Sequence, residues 1–204
     1  RKPHLFSSMG FLDDSWWELT YWIYGQHMFS GRAGIARAVG LYPTARIMVC
    51  DDDRVYGNQE GYESISQPAF VATQKEPPKK DIKGSGRYRS VHHDWSRHVP
   101  FHTFGLVLAG DTLCLAGPPR VNVSRTREIL KTLQTDRYQW PDILNEAAEI
   151  FAGARGGVLY ALRKQDGQQV MALDTESIPV FDGLIAADRR LYMSTQDGTV
   201  VCME

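Results

Sequence analysis

The 204-residue chain is short of several things, and each shortage closes a class of explanation. It holds only 3 cysteines, Cys50, Cys114 and Cys202, odd in number and far apart. None stands in a C-x-x-C arrangement, which excludes zinc-ribbon and dithiol redox motifs. Each follows apolar residues and is expected to be a small buried hydrophobe on a strand, with one disulfide plus a free thiol as the alternative. No run of 18 apolar residues occurs, so no transmembrane segment is expected. A charge excess of one sign is also missing. With 23 basic and 24 acidic residues the formal net charge is −1, which offers no broad field for nucleic acid or acidic lipid. Lys79 and Lys80 fall in a proline-bearing polar stretch that reads as a solvated loop. The opening at Arg1 has neither an initiator Met nor a signal-peptide pattern, so the chain reads as the C-terminal piece of a longer product, with a processed chain as the alternative. A G-x-S-x-G nucleophile elbow is absent, and Ser7-Ser8 leads into an ordinary apolar run. No phosphate-cradling glycine loop precedes a helix; Gly31 to Gly34 has the wrong surroundings.

What remains is enough for a packed core, since 43% of residues are hydrophobic and 11% aromatic. The apolar segments repeat. Gly157-Val158-Leu159-Tyr160-Ala161-Leu162 returns about 41 residues later as Gly198-Thr199-Val200-Val201-Cys202-Met203. A second template has three copies, around Met48 to Tyr56, Gly105 to Leu115 and Gly183 to Met193. Each copy reads as an apolar strand, a short polar turn (Asp51 to Arg54, Gly110 to Thr112, Asp188 to Arg190) and a second apolar strand. Asp and Gly supply the backbone angles that tight hairpins require. Short strands broken by Asp-Gly turns at this period mark β-propeller blades. The offsets of about 58 and about 78 residues between the three copies exceed one blade, so the connections carry insertions.

The residues between the copies extend this reading. Trp17, Leu19, Tyr21 and Ile23 alternate with Trp16, Glu18, Thr20 and Trp22, which predicts a hairpin with the segment from His4 about the acidic turn Asp13-Asp14-Ser15. A strand is expected at Ala69 to Thr73 and an outer strand at Val91 to Ser96. Others are expected at Val158 to Leu162 and Val170 to Leu173, joined by Gln165-Asp166-Gly167. Residues 120–152 break the pattern. Ser124 caps a predicted helix over Arg125 to Gln134. Trp140-Pro141-Asp142 opens another, with Ile143, Leu144, Ala147, Ala148 and Phe151 on one side and Gly153 closing it. The pair is expected as an insertion between blades.

Leu159-Tyr160-Ala161-Leu162, the turn Asp166-Gly167, Pro179, Gly183 to Ala187, Leu191-Tyr192-Met193-Ser194 and Gln196-Asp197-Gly198 together resemble the pyrroloquinoline-quinone-type propeller repeat. The wider chain is similar to propeller proteins of that superfamily found in planctomycete-like bacteria. Phe11 to Trp17, Asp51 to Gly57 and Val107 to Leu113 carry that likeness. The expected fold class is therefore all-β: one partial β-propeller over residues 1–204, built of about three to five four-stranded antiparallel blades, with a helical insertion at 120–152. The resemblance is specific for fold and poorly specific for activity. It also implies a periplasmic or extracellular location.

Quinone-dependent members rest the cofactor between a Trp and a disulfide of adjacent cysteines, with Ca²⁺ and an Asp base. This chain has no adjacent Cys pair, and Asp51 to Asp53 follow the repeat instead of breaking it. The expectation is a non-catalytic binding or scaffold module for a protein or polysaccharide partner, with no catalytic residues, no resident metal and no cofactor. Missing N-terminal blades or a second chain are expected to close the propeller. The first alternative is part of a quinoprotein oxidoreductase whose pyrroloquinoline quinone and Ca²⁺ ligands lie on further blades. The second is a carbohydrate-binding propeller that stacks its ligand on Trp16, Trp17 and Trp22. His92, His93 and Asp94 with His98 and His102 invite a metal reading. Adjacent strand residues point to opposite faces, however, so these read as polar strand positions.

Overall fold

A computed structural model describes residues 4–7, 22–25, 43–59, 69–74, 93–121 and 140–204. They are mostly β, and the chain folds as two compact units. The first unit covers Arg1–Tyr62, Pro68–His98 and Lys164–Gly167. Its described strands form two antiparallel sheets. Sheet I joins β1 (His4–Ser7), β2 (Trp22–Gly25) and β3 (Thr44–Ala45), with His4 opposite Gly25 and Ser7 opposite Trp22. This is the pairing expected of the opening hairpin; its acidic turn lies outside the described residues. Sheet II runs in chain order through β4 (Met48–Cys50), β5 (Arg54–Gln59), β6 (Ala69–Gln74) and β7 (Trp95–His98). Ile23, Ala45, Ile47, Val55, Tyr56, Val71 and Ala72 form this unit's buried apolar set.

The second unit covers Glu63–Gln67, Val99–Arg163 and Gln168–Glu204. Sheet III runs through β8 (Gly105–Ala109), β9 (Thr112–Gly117), β10 (Gly157–Arg163) and β11 (Gln169–Thr175). Sheet IV runs through β12 (Pro179–Ala187), β13 (Arg190–Thr195) and β14 (Val200–Met203). Central strands β9 and β10 are apolar on both faces, as buried strands are: Leu113, Leu115, Ala116, Leu159, Ala161 and Leu162 are all buried. The first strands of the two sheets lie against each other, β8 on β12. Gly105 makes that approach possible, because a Cβ there would stand 2.5 Å from Leu184 Cγ. Beside it, Ala116, Leu159, Leu184 and Met193 form a core cluster, flanked by Val107, Cys114, Leu191 and Met203.

All three copies of the hairpin template occupy one structural position. β4–β5, β8–β9 and β12–β13 are each the first hairpin of a sheet. The partners of the shorter repeat, β10 and β14, are each a third strand. The turns differ in how they are made. Gly110 alone is left-handed in the Ala109–Thr112 connection (φ 58°), the φ pattern of a type II′ turn. Asp188 and Arg189 are both left-handed (φ 50° and 63°), the pattern of type I′.

Helix α1 (Trp140–Phe151) forms where Pro141 and Gly153 bracket the apolar pattern. Gly153 is left-handed (φ 83°), its N–H donates to Ile150 O at 3.0 Å, and Ala154 N–H donates to Glu149 O at 3.0 Å. Those two bonds are a Schellman closure. Two expectations change here. The buried residue of the last turn is Ile150, while Phe151, expected on the apolar side, is exposed. The helix also does not separate two sheets. It interrupts one, since β9 and β10 on either side of it pair directly, Gly117 opposite Val158. The helix predicted over 125–134 lies outside the described residues.

The cysteine expectation is corrected as well. Cys50 and Cys202 are exposed and only Cys114 is half-buried; all three are free thiols. Cys50 ends a three-residue strand, and Cys202 sits on β14, an edge strand of its sheet, so neither is covered on both sides.

Candidate functional site

The polar side chains around the first turn of sheet II are occupied in holding that turn. Asp51 Oδ1 accepts the N–H groups of Asp53 (3.0 Å) and Arg54 (2.8 Å), and its Oδ2 accepts the Tyr56 hydroxyl at 3.0 Å. Lys164 Nζ lies 3.5 Å from the same carboxylate. Partial burial pushes the Asp51 carboxyl up, yet the backbone and Tyr56 hydrogen bonds outweigh it and leave the group below its ordinary range. Tyr56 is fully buried, and burial followed by its bond to Asp51 pushes its hydroxyl up to about 12. Arg54 Nε donates to Asp94 Oδ2 at 2.6 Å, and that bond raises the guanidinium further. Trp95 Nε1 donates to Lys164 O at 2.9 Å, and Arg97 to Gly167 O at 3.3 Å. These groups brace one another.

Sheet IV holds a second carboxylate-braced turn, between β13 and β14. Asp197 accepts the hydroxyls of Ser177, Thr195 (2.6 Å) and Thr199 (2.7 Å) and the N–H of Thr199 (3.1 Å). Those bonds, led by Ser177, hold its carboxyl far below the ordinary range.

The histidines are dispersed. His93 Nδ1 shares a hydrogen bond with Thr73 Oγ1 at 2.8 Å, His98 is exposed on β7, and the His102 ring stands 5.1 Å from that of Phe151. His92 lies outside the described residues. Among the described residues no three His, Cys, Asp or Glu side chains gather as a metal site would require. Of the three tryptophans offered for stacking, Trp16 and Trp17 lie outside the described residues. Trp22 is half-buried on β2, opposite Ser7 and Ala45.

Two features of the second unit have open space beside them. One is a cavity of about 710 Å³ walled by Cys114, Leu159, Met171, Leu173 and Leu191, with Arg189, Arg190 and Glu204 among its charged lining. Arg190 is already paired with Glu204 at 2.7 Å. Burial pushes the Cys114 thiol up, which makes it a poor nucleophile. The cavity suits an apolar occupant and offers no poised reactive group.

The other feature is a bulge in β12. Pro179 pairs with Thr195 and Leu184 with Met193, so Val180 to Gly183 stand opposite Ser194 alone. Asp182 takes the left-handed conformation (φ 58°), and its N–H donates to Phe104 O at 2.7 Å. The bulge pushes Phe181 outward, its ring 6.2 Å from Phe104 at 66°, while Phe104 stacks at 6.0 Å on Phe151. Sequence reasoning missed this cluster. Its one visible sign is Phe181-Asp182-Gly183, turn chemistry set inside a predicted strand.

No known family profile matches the chain, and no curated protein matches its sequence.

Proposed function

We propose that this chain is part of a β-propeller that serves as a non-catalytic binding or scaffold module for a protein or polymer. One observation carries the reading: the turn carboxylates Asp51, in the first hairpin of sheet II, and Asp197, between β13 and β14, are consumed in bracing their own turns. An enzyme built on such a frame must spare groups from its turns, and these are not spared. The propeller reading draws support from the three hairpins that each begin a sheet, from the sequential antiparallel order of every sheet, and from the contact of β8 with β12. Radially stacked blades bring their first strands together in this way.

The resemblance to quinone-binding propellers raises a specific cofactor, and the described residues do not fit it. The 3 cysteines are separate free thiols. Asp51 has its oxygens turned to its own turn and to Tyr56, and hard-oxygen ligands for Ca²⁺ do not converge among the described residues. Among these residues, no helix is long and apolar enough to cross a membrane.

The test mixes the purified protein with pyrroloquinoline quinone and Ca²⁺ and follows both retention of the quinone and dye reduction with alcohols or sugars. The module reading expects neither. Tight uptake with substrate-dependent dye reduction defeats it in favour of a quinoprotein oxidoreductase.

A further inference from the structure

The second unit departs from its own repeat at two places, and the departures meet. One is the helix inserted between β9 and β10, which ends on Phe151. The other is the β12 bulge; the equivalent hairpins β4–β5 and β8–β9 pair without interruption. Phe104, immediately before β8, touches both: Phe151 from the helix and Phe181 from the bulge. Phe181 is 50% exposed and Phe151 41%, so apolar ring surface faces solvent where packing would normally cover it. Asp182 follows Phe181 in the bulge. Among the described residues no hydrogen bond or ion pair reaches its carboxylate, and burial pushes that group above its ordinary range.

We propose that the corner formed by Phe104, Phe151 and Phe181, with Asp182 beside it, binds an arginine side chain of a protein partner. The chemistry follows from the two kinds of surface. An aromatic face carries negative quadrupole density and attracts a weakly hydrated cation laid flat on it. A carboxylate without a cation accepts two parallel N–H groups from the edge of a guanidinium. Arginine satisfies both at once, whereas an ammonium keeps its hydration and lacks the planar fork. The left-handed backbone at Asp182 fixes the carboxylate in the bulge at a conformational cost, as recognition sites often do. This inference deepens the binding-module reading by naming the partner's chemistry. It is separable from that reading, because quinone uptake defeats the module while leaving the arginine corner to its own test.

The experiment titrates ¹⁵N-labelled full chain with N-acetyl-arginine methylamide, and in parallel with its lysine and citrulline counterparts. Citrulline keeps the shape of arginine and removes the charge. The expected result is saturable shift of the His102 to Phe104, Phe151 and Phe181 to Asp182 signals by arginine in the millimolar range, weaker shift by lysine, and none by citrulline. Asp182→Asn weakens arginine binding by about tenfold, and Phe181→Leu by about two- to fivefold as suits a half-exposed ring. Asparagine tolerates the left-handed conformation and position 181 is exposed, so both variants keep the fold, which unchanged signals elsewhere verify. Equal binding of citrulline, an unchanged Asp182→Asn affinity, or an absence of saturable shifts at these residues overturns the proposal.

Discussion

Substituting Gly105 by alanine tests whether sheets III and IV are locked by the contact of their first strands. A Cβ at position 105 would lie 2.5 Å from Leu184 Cγ, 2.9 Å from Cδ1 and 3.3 Å from Cβ. Carbon atoms sit comfortably at about 3.5–4.0 Å, so Leu184 must retreat by about 1 Å. It has nowhere to go, being buried with Ala116, Leu159 and Met193. Overpacking of this kind costs about 1–3 kcal/mol, and Gly105→Ala is placed at about 2 kcal/mol, the middle of that range. Leu184→Ala alone removes buried methyl groups and costs about 2–5 kcal/mol. In the double variant the new methyl enters space that Leu184 has vacated. The two losses then fail to add, and the cycle shows a favourable coupling of about 1 kcal/mol or more. Urea midpoints of the four proteins, read by tryptophan fluorescence and checked for a constant slope, give the coupling directly. Additive losses, or a Gly105→Ala protein as stable as its parent, refute the face-to-face contact.

Three further outcomes follow from the same geometry. Asp197 is held below its ordinary value of 3.8 by hydroxyl and amide donors, so its stabilisation is present above about pH 4 and is lost as pH falls through the depressed value. Asp197→Asn therefore flattens the acid limb of a stability–pH curve measured by urea midpoints, and parallel curves contradict the turn-bracing role. Tyr56 is pushed up to about 12, so its contribution is constant below about pH 10 and is lost between about pH 10 and that value; the difference between the ultraviolet titrations of the parent and Tyr56→Phe is a late-ionising tyrosine, and a difference centred near pH 10 contradicts this. Thiol labelling of the native protein with a disulfide reagent gives two fast cysteines, Cys50 and Cys202, and one slow one, Cys114, whose thiol is raised by burial. Three equal rates would overturn that assignment.

Local chemistry in the sequence reaches far into this fold. The hairpins are readable because Asp and Gly at turns act within three or four residues, and the bonds from Asp51 to Asp53 and Arg54 are of that range. Helix α1 is readable for the same reason, since Pro141 and Gly153 declare its ends. What escapes depends on partners distant in sequence. Alternation in a strand cannot say whether that strand will be central or at an edge, and so Cys202 on β14, expected to be buried, is exposed. The phase of an amphipathic helix with apolar residues at both 150 and 151 is set by what receives it. Ile150 is buried and Phe151 turns to meet His102 and Phe104.

The candidate site escapes for a sharper reason. In Phe181-Asp182-Gly183 the ordinary reading gives the left-handed conformation to glycine, yet Asp182 carries it. Gly183 is instead compressed, where a Cβ would lie 2.7 Å from Val180 Cγ2 and 2.9 Å from Ser194 O. The glycine thus admits the neighbouring backbone, and the strain passes to the aspartate that the bulge displays. A repeat taken alone predicts no such exchange, because its other hairpins keep continuous register. In a frame made of copies, recognition is best sought where one copy departs from the rest. Here the inserted helix and the bulged strand, far apart along the chain, present their rings to the same phenylalanine.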